Sequence, residues 1–160
     1  MREITHLVVH CSATKADMDI DVEWVRKIHK GERGWSDVGY HYFIKRDGTV
    51  QEGRPVSRRG AHVKGHNAKS IGICYAGGID DKGRPEDNRT EAQNKALRRL
   101  LDALVIEYHG AEVLGHCDFP KVAKACPSFN TKEWYYGQTE EYETGRLAKT
   151  RGSRGSECGR

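Results

Sequence analysis

His116 and Cys126 stand ten residues apart, with Pro127 directly after the cysteine and Lys124 two positions before it. A neutral imidazole and a thiolate are both good zinc ligands, and a proline fixes the backbone beside the second of them. Two ligands do not make a catalytic centre, so a third must come from elsewhere in the chain. The candidate is His10, which ends an apolar run near the N-terminus. Three protein ligands and an open fourth position describe the zinc of a hydrolase, whereas structural sites usually take four. Cys117, adjoining His116, is the residue that would complete a four-ligand set. Taken by itself, His10 reads more readily as a hydrogen-bonded core histidine than as a ligand. There is no His-Glu-x-x-His pair, so the sequence marks no glutamate as the proton carrier.

The elements that must position these residues follow from apolar periodicity. Ile4 to Cys11 reads as a buried strand through Leu7, Val8 and Val9, and its alternation sends His10 and Cys11 to opposite faces, so only one of them faces a site. Asp19 to Gly31 reads as a helix capped by Asp19 or Asp21, with His29 on its apolar stripe and therefore structural. Gly39 to Lys45 and Thr49 to Glu52 flank Asp47-Gly48, a pair favoured in tight hairpins. Arg54 to Lys69 is a long basic loop that carries His62 and His66; functional loops and solvated charge clusters both read this way. Ser70 to Ala76 alternates Ile71, Ile73 and Tyr75 against the small residues Gly72, Cys74 and Ala76, which invites close packing on one face. Gly77 to Asn88 reads as a turn-rich excursion. Thr90 and Gln93 form a capping box ahead of a helical stripe from Ala96 to Tyr108, stopped by Gly110. Ala111 to Leu114 is a short strand delivering His116, and Thr131 to Tyr136 a short helix.

The fold class this order implies is mixed α/β, a central mixed sheet of about five strands flanked by helices. In that fold His10, Tyr40, His116, Lys124 and Cys126 come from three separate elements that can meet. At 160 residues the chain makes one domain. The division expected is a catalytic domain over 1–137 and a disordered polar tail over 138–160, where apolar residues almost vanish. The net charge of +4 suits an anionic polymer but is common in ordinary proteins, so no partner follows from it. Five scattered cysteines without a Cys-x-x-Cys pair argue for reduced thiols rather than a disulfide framework. Neither a membrane span nor a basic-then-apolar leader is visible.

Ordered along the chain are Val9-His10-Cys11-Ser12-Ala13-Thr14, Asp37-Val38-Gly39-Tyr40-His41, Ile44-Lys45-Arg46-Asp47-Gly48-Thr49-Val50, Gly60-Ala61-His62, Ser70-Ile71-Gly72-Ile73, Gly77-Gly78-Ile79-Asp80-Asp81-Lys82-Gly83 and Lys124-Ala125-Cys126-Pro127-Ser128-Phe129. In this order they resemble the phage-lysozyme branch of the zinc N-acetylmuramoyl-L-alanine amidases, relatives of the peptidoglycan recognition proteins. The match runs from about residue 4 to 136 and outweighs the ordinary reading of His10.

The resemblance implies one zinc ion per chain held by His10, His116 and Cys126. It implies that Tyr40 and Lys124 assist catalysis beside the metal and that His62 lines the substrate groove. The bond cleaved is then the amide between N-acetylmuramic acid and L-alanine in bacterial peptidoglycan, lysing the host. Synthesis in the host cytoplasm, action on the wall once another protein has permeabilised the membrane, and a monomeric state go with it, with neither nucleic-acid contact nor membrane insertion. Some phage relatives also restrain their phage's RNA polymerase, so that partner stays open here. The spacing from His116 to Cys126 is somewhat longer than in the phage enzymes it resembles most. A non-catalytic wall-binding module is the alternative; recognition-type relatives keep the fold but lack the zinc cysteine.

Overall fold

The computed structural model describes residues 1–144, with side chains through residue 137. Its frame is a five-stranded sheet in the order β4-β3-β5-β1-β7, built from β1 (His6–Cys11), β3 (Tyr42–Ile44), β4 (Val50–Glu52), β5 (Ser70–Tyr75) and β7 (Glu112–Gly115). Only the β3–β4 pair is antiparallel; β1 runs parallel to both β5 and β7, and β3 parallel to β5. A separate two-stranded ribbon joins β2 (Thr14–Lys15) to β6 (Gly78–Ile79). The mixed α/β expectation is met.

β1 is flanked by a strand on each side and covered on both faces, which explains why it reads as an unbroken apolar run rather than an alternating one. Its alternation still decides what goes where. Leu7, Val9 and Cys11 join Ile71, Ile73, Tyr75 and Val113 in the larger core cluster, which also takes Leu97, Leu101 and Leu104 of helix α2 (Glu91–Glu107). Val8 belongs to a second cluster with Val63, Leu114 and Phe119. Phe43, Cys74 and Ala76 pack with Val22 and Val25 of helix α1 (Val22–Gly31). His10 lies on the same face as Val8, in step with the two-residue period.

The caps are those the sequence marks. Asp21 accepts the Trp24 N–H at the start of α1, and Thr90 and Gln93 close the capping box of α2. Two boundaries need correction. β3 begins only at Tyr42, although the Arg54 N–H still donates to the Tyr40 carbonyl at 2.9 Å, in step with the β3–β4 pairing. The last helix, α3, spans Thr131–Thr144 rather than ending at Tyr136. Residues 138–144 hold no proline and carry three glutamates and a glutamine, so the helix continues beyond Gln138, where the disordered tail was expected to begin. The remainder of that tail, 145–160 with Cys158, lies outside the described residues.

Candidate active site

The parallel pairing of β1 with β7 builds the site. The register sets Val9 opposite Gly115, so the next residue on each strand is a histidine, His10 and His116. Their rings lie with centroids 4.6 Å apart at the carboxyl ends of neighbouring parallel strands, the edge where open α/β sheets place ligands. Gly115 is a glycine for a steric reason: a Cβ there would sit 2.8 Å from the Pro127 Cδ and 3.0 Å from the Thr131 hydroxyl oxygen. A side chain at 115 would therefore push away the segment that carries Cys126.

That segment is held by hydrogen bonds from three directions. The Tyr75 hydroxyl donates to the Pro127 carbonyl at 2.6 Å, the Ser128 hydroxyl to the Gly78 carbonyl at 2.8 Å, and the Cys117 N–H to the Cys126 carbonyl at 2.9 Å. Asp118 accepts the Gly115 N–H at 2.8 Å and so braces the start of this loop. The result brings the Cys126 Sγ to 3.8 Å from the His10 Nδ1. Ligand atoms of His10, His116 and Cys126 all lie within 4.8 Å of one another, the one metal-binding cluster of this kind among the described residues.

The donor set suits zinc. Tetrahedral bonds of the usual length place sulfur and nitrogen about 3.6 Å apart across the ion, close to the spacing of Cys126 and His10. Burial, with His62, His116 and Lys124 nearby, holds His10 well below the ordinary imidazole range; burial and Lys124 lower His116. Both rings are therefore neutral, with a lone pair to give. The Cys126 thiol is pushed up by its hydrogen bonding with Cys11 and by burial, a state belonging to the metal-free protein, since coordination deprotonates a thiol outright. The backbone N–H of Cys11 already points at this sulfur, 3.3 Å away. Cys117 is disulfide-bonded, contrary to the expectation of reduced thiols throughout, and a disulfide sulfur is not a thiolate ligand. Cys11, Cys74 and Cys126 are free.

A groove of about 620 Å³ opens over this cluster. Tyr40, Lys124 and His62 all line it, so every residue marked in the sequence reaches one place. The Tyr40 ring stands 5.1 Å from that of His10, and burial raises its phenol well above the ordinary value, so its hydroxyl keeps its proton. Lys124 is exposed, close enough to depress both histidine ligands. His29 lies on the groove's floor but is structural as read: its Nδ1 accepts the Gly39 N–H at 2.8 Å and so fixes the turn that presents Tyr40.

Sequence reasoning passed over several groove residues. Arg33 sits over the Trp35 ring, 5.0 Å from its centroid. With Lys64, Lys121 and Lys124 it gives the wall four cations, and no described carboxylate lines it. A cleft of one sign concentrates anionic ligands. An Arg-Gly-Trp run after a helix is the signal that was available.

A family model described as N-acetylmuramoyl-L-alanine amidase matches residues 1–129. The chain belongs to that family. It is 53% identical over 134 residues to the endolysin of Klebsiella phage KP32, covering 84% of this chain and 87% of the relative. It is also 34% identical over 107 residues to peptidoglycan-recognition protein SC2 of Drosophila melanogaster, covering 64% of this chain and 55% of that one. Among solved structures, the amidase LysC from Clostridium intestinale superposes with a TM-score of 0.72 at 28% identity, covering 86% and 87% of the two chains. The Ph2119 endolysin of a Thermus scotoductus phage gives 0.69 at 29%, covering 88% and 85%. This amidase is an endolysin of the phage type, an enzyme that hydrolyses bacterial peptidoglycan. No helix among its described residues is long and apolar enough to cross a membrane.

Proposed function

We propose that this amidase is a zinc enzyme in which His10, His116 and Cys126 hold the ion, with Lys124 and Tyr40 acting on the scissile amide. The observation that carries the reading is convergence. Three ligand atoms from two distant stretches of chain meet within 4.8 Å in a cationic groove that Lys124 and Tyr40 also line. When bound there, zinc supplies the Lewis acidity that brings a water's pKa to near ~7 and polarises a carbonyl. The rest belongs to the chain. Lys124 presents an ammonium where the oxyanion of the tetrahedral intermediate develops, a contribution of roughly 3 kcal/mol for one such donor. Tyr40, whose phenol burial keeps protonated, presents an O–H donor beside His10. The cationic walls attract the carboxylates of the stem peptide, and His62 forms part of the wall. A non-catalytic wall binder has no use for a half-buried thiol placed beside two histidines, so the enzyme reading is preferred.

Release of L-alanine amino termini from purified peptidoglycan tests this. New amino termini without new reducing sugar ends, abolished by a chelator and recovered with zinc, are expected. Release that survives metal removal overturns the zinc reading. Cys126→Ser is expected to lose zinc and activity while keeping the far-ultraviolet circular dichroism of the parent. Full lysis by that variant removes Cys126 from the ligand set.

A further inference from the structure

Both ring nitrogens of His62 are already engaged inside the protein. Its Nδ1 lies 2.9 Å from the His10 Nε2, and its Nε2 lies 3.1 Å from the Ser70 hydroxyl oxygen. The direction of these bonds follows from Ser70. That hydroxyl has one proton, and it donates it to the His66 carbonyl at 2.8 Å, so towards His62 it can only accept. The Nε2 of His62 must then carry the proton. A neutral His62 has its lone pair on Nδ1, and the partner across the 2.9 Å contact, His10 Nε2, must be the donor.

With its proton fixed on Nε2, His10 has its remaining lone pair on Nδ1, the nitrogen that faces the Cys126 Sγ. The relay thus selects the one tautomer of His10 that can bind an ion in the cluster. The His62 ring is placed as a support would be. The backbone N–H groups of His62 and Val63 both donate to the Asn67 side-chain oxygen, at 2.8 and 2.9 Å. The His62 ring lies against β5 at Gly72, where any Cβ would come within 2.6 Å of it.

We propose that His62 is a positioning residue for the metal ligand His10, accepting the hydrogen bond from its Nε2–H and passing the constraint back through Ser70. This rests on the zinc reading above for its purpose, but the relay exists in the metal-free protein. Partners that orient a metal-binding histidine usually govern affinity, and removing one costs roughly 10–100-fold.

The test measures two things on the full chain: zinc affinity by competition with a chelating dye, and the His10 tautomer in metal-free protein from ring nitrogen chemical shifts. In the parent, His10 should be protonated on Nε2. In His62→Ala the tautomers should mix and zinc should bind about 10–100-fold more weakly. His62→Asn, which keeps an acceptor near the Nδ1 position, should recover much of the affinity. A His62→Ala protein with the parental tautomer and parental zinc affinity but a raised KM makes His62 a substrate contact and overturns the proposal. A parent that binds no zinc defeats the zinc reading instead, and the tautomer measurement still decides this one.

Discussion

Gly72→Ala tests the support of the metal site from β5, without replacing any residue that lines the groove. An ideal Cβ at position 72 would lie 2.6 Å from the His62 Cγ, 2.7 Å from Cδ2 and 2.9 Å from Nδ1, where ordinary contact begins at 3.4 Å. The ring must therefore retreat by 3.4 − 2.6 = 0.8 Å. Moved that far away from His10, the 2.9 Å contact passes the 3.5 Å at which a hydrogen bond ceases to count; moved towards it, the two rings clash, and moved across it, the bond misaligns. Zinc affinity should fall about 10–100-fold, or roughly 1.4–2.7 kcal/mol. Overpacking should also cost about 1–3 kcal/mol of folding stability. Dye competition reads the first and thermal melting the second. The double variant Gly72→Ala with His62→Ala separates them: removing the ring relieves the clash, so stability should return while zinc affinity stays low. A folded Gly72→Ala protein with parental zinc affinity would refute the reasoning, because the ring would have been displaced without consequence for His10.

The other expectations concern chemistry and pH. Lys124→Ala should keep its zinc and slow turnover by on the order of a hundredfold or more, with the loss in kcat rather than KM; unchanged turnover makes Lys124 a bystander on an exposed loop. Burial, reinforced by Arg33 and Arg54, lowers His29 to about 4, and burial likewise brings His41 to about 4. Between that value and the unfolded value near 6.5 the unfolded chain binds these protons and the folded one does not, so stability rises with pH. The contribution is complete above about 6.5 and drains away as pH falls towards 4. The melting temperature of zinc-free protein should drop across that window, and less steeply in a variant with one of these histidines replaced by glutamine; a flat profile contradicts the buried, neutral assignment.

Much of this molecule was legible in the sequence because its strongest signals are local. The run Leu7-Val8-Val9 had to be a central strand, Thr90 and Gln93 had to cap a helix, and alternation had to put His10 and Cys11 on different faces. Those conclusions need only the period of a strand, the geometry of a cap and the cost of exposing apolar surface. The ordered motifs added the family and, through it, the ligand set. Alone, the residue reading preferred His10 as a core histidine, and both properties turned out to hold: it is buried and it faces the cluster. Local signals failed at element ends, as at Tyr40 and beyond Gln138, where pairing or continuation is decided by a neighbour or by the absence of a stop.

What the tertiary structure alone decided is registration across long separations. That Val9 pairs with Gly115, and so brings His10 beside His116, depends on which strands neighbour β1 and in what direction, and no window of sequence contains both. The same holds for the clamp on Cys126, whose donors come from Tyr75, Ser128 and Cys117. It holds again for His62, marked from the sequence as a groove residue by its place in a motif. Its two ring nitrogens acquire their partners, His10 and Ser70, only when a loop is folded against β1 and β5. Residue type sets which atoms can donate or accept; which of them actually face each other is fixed by packing the whole sheet.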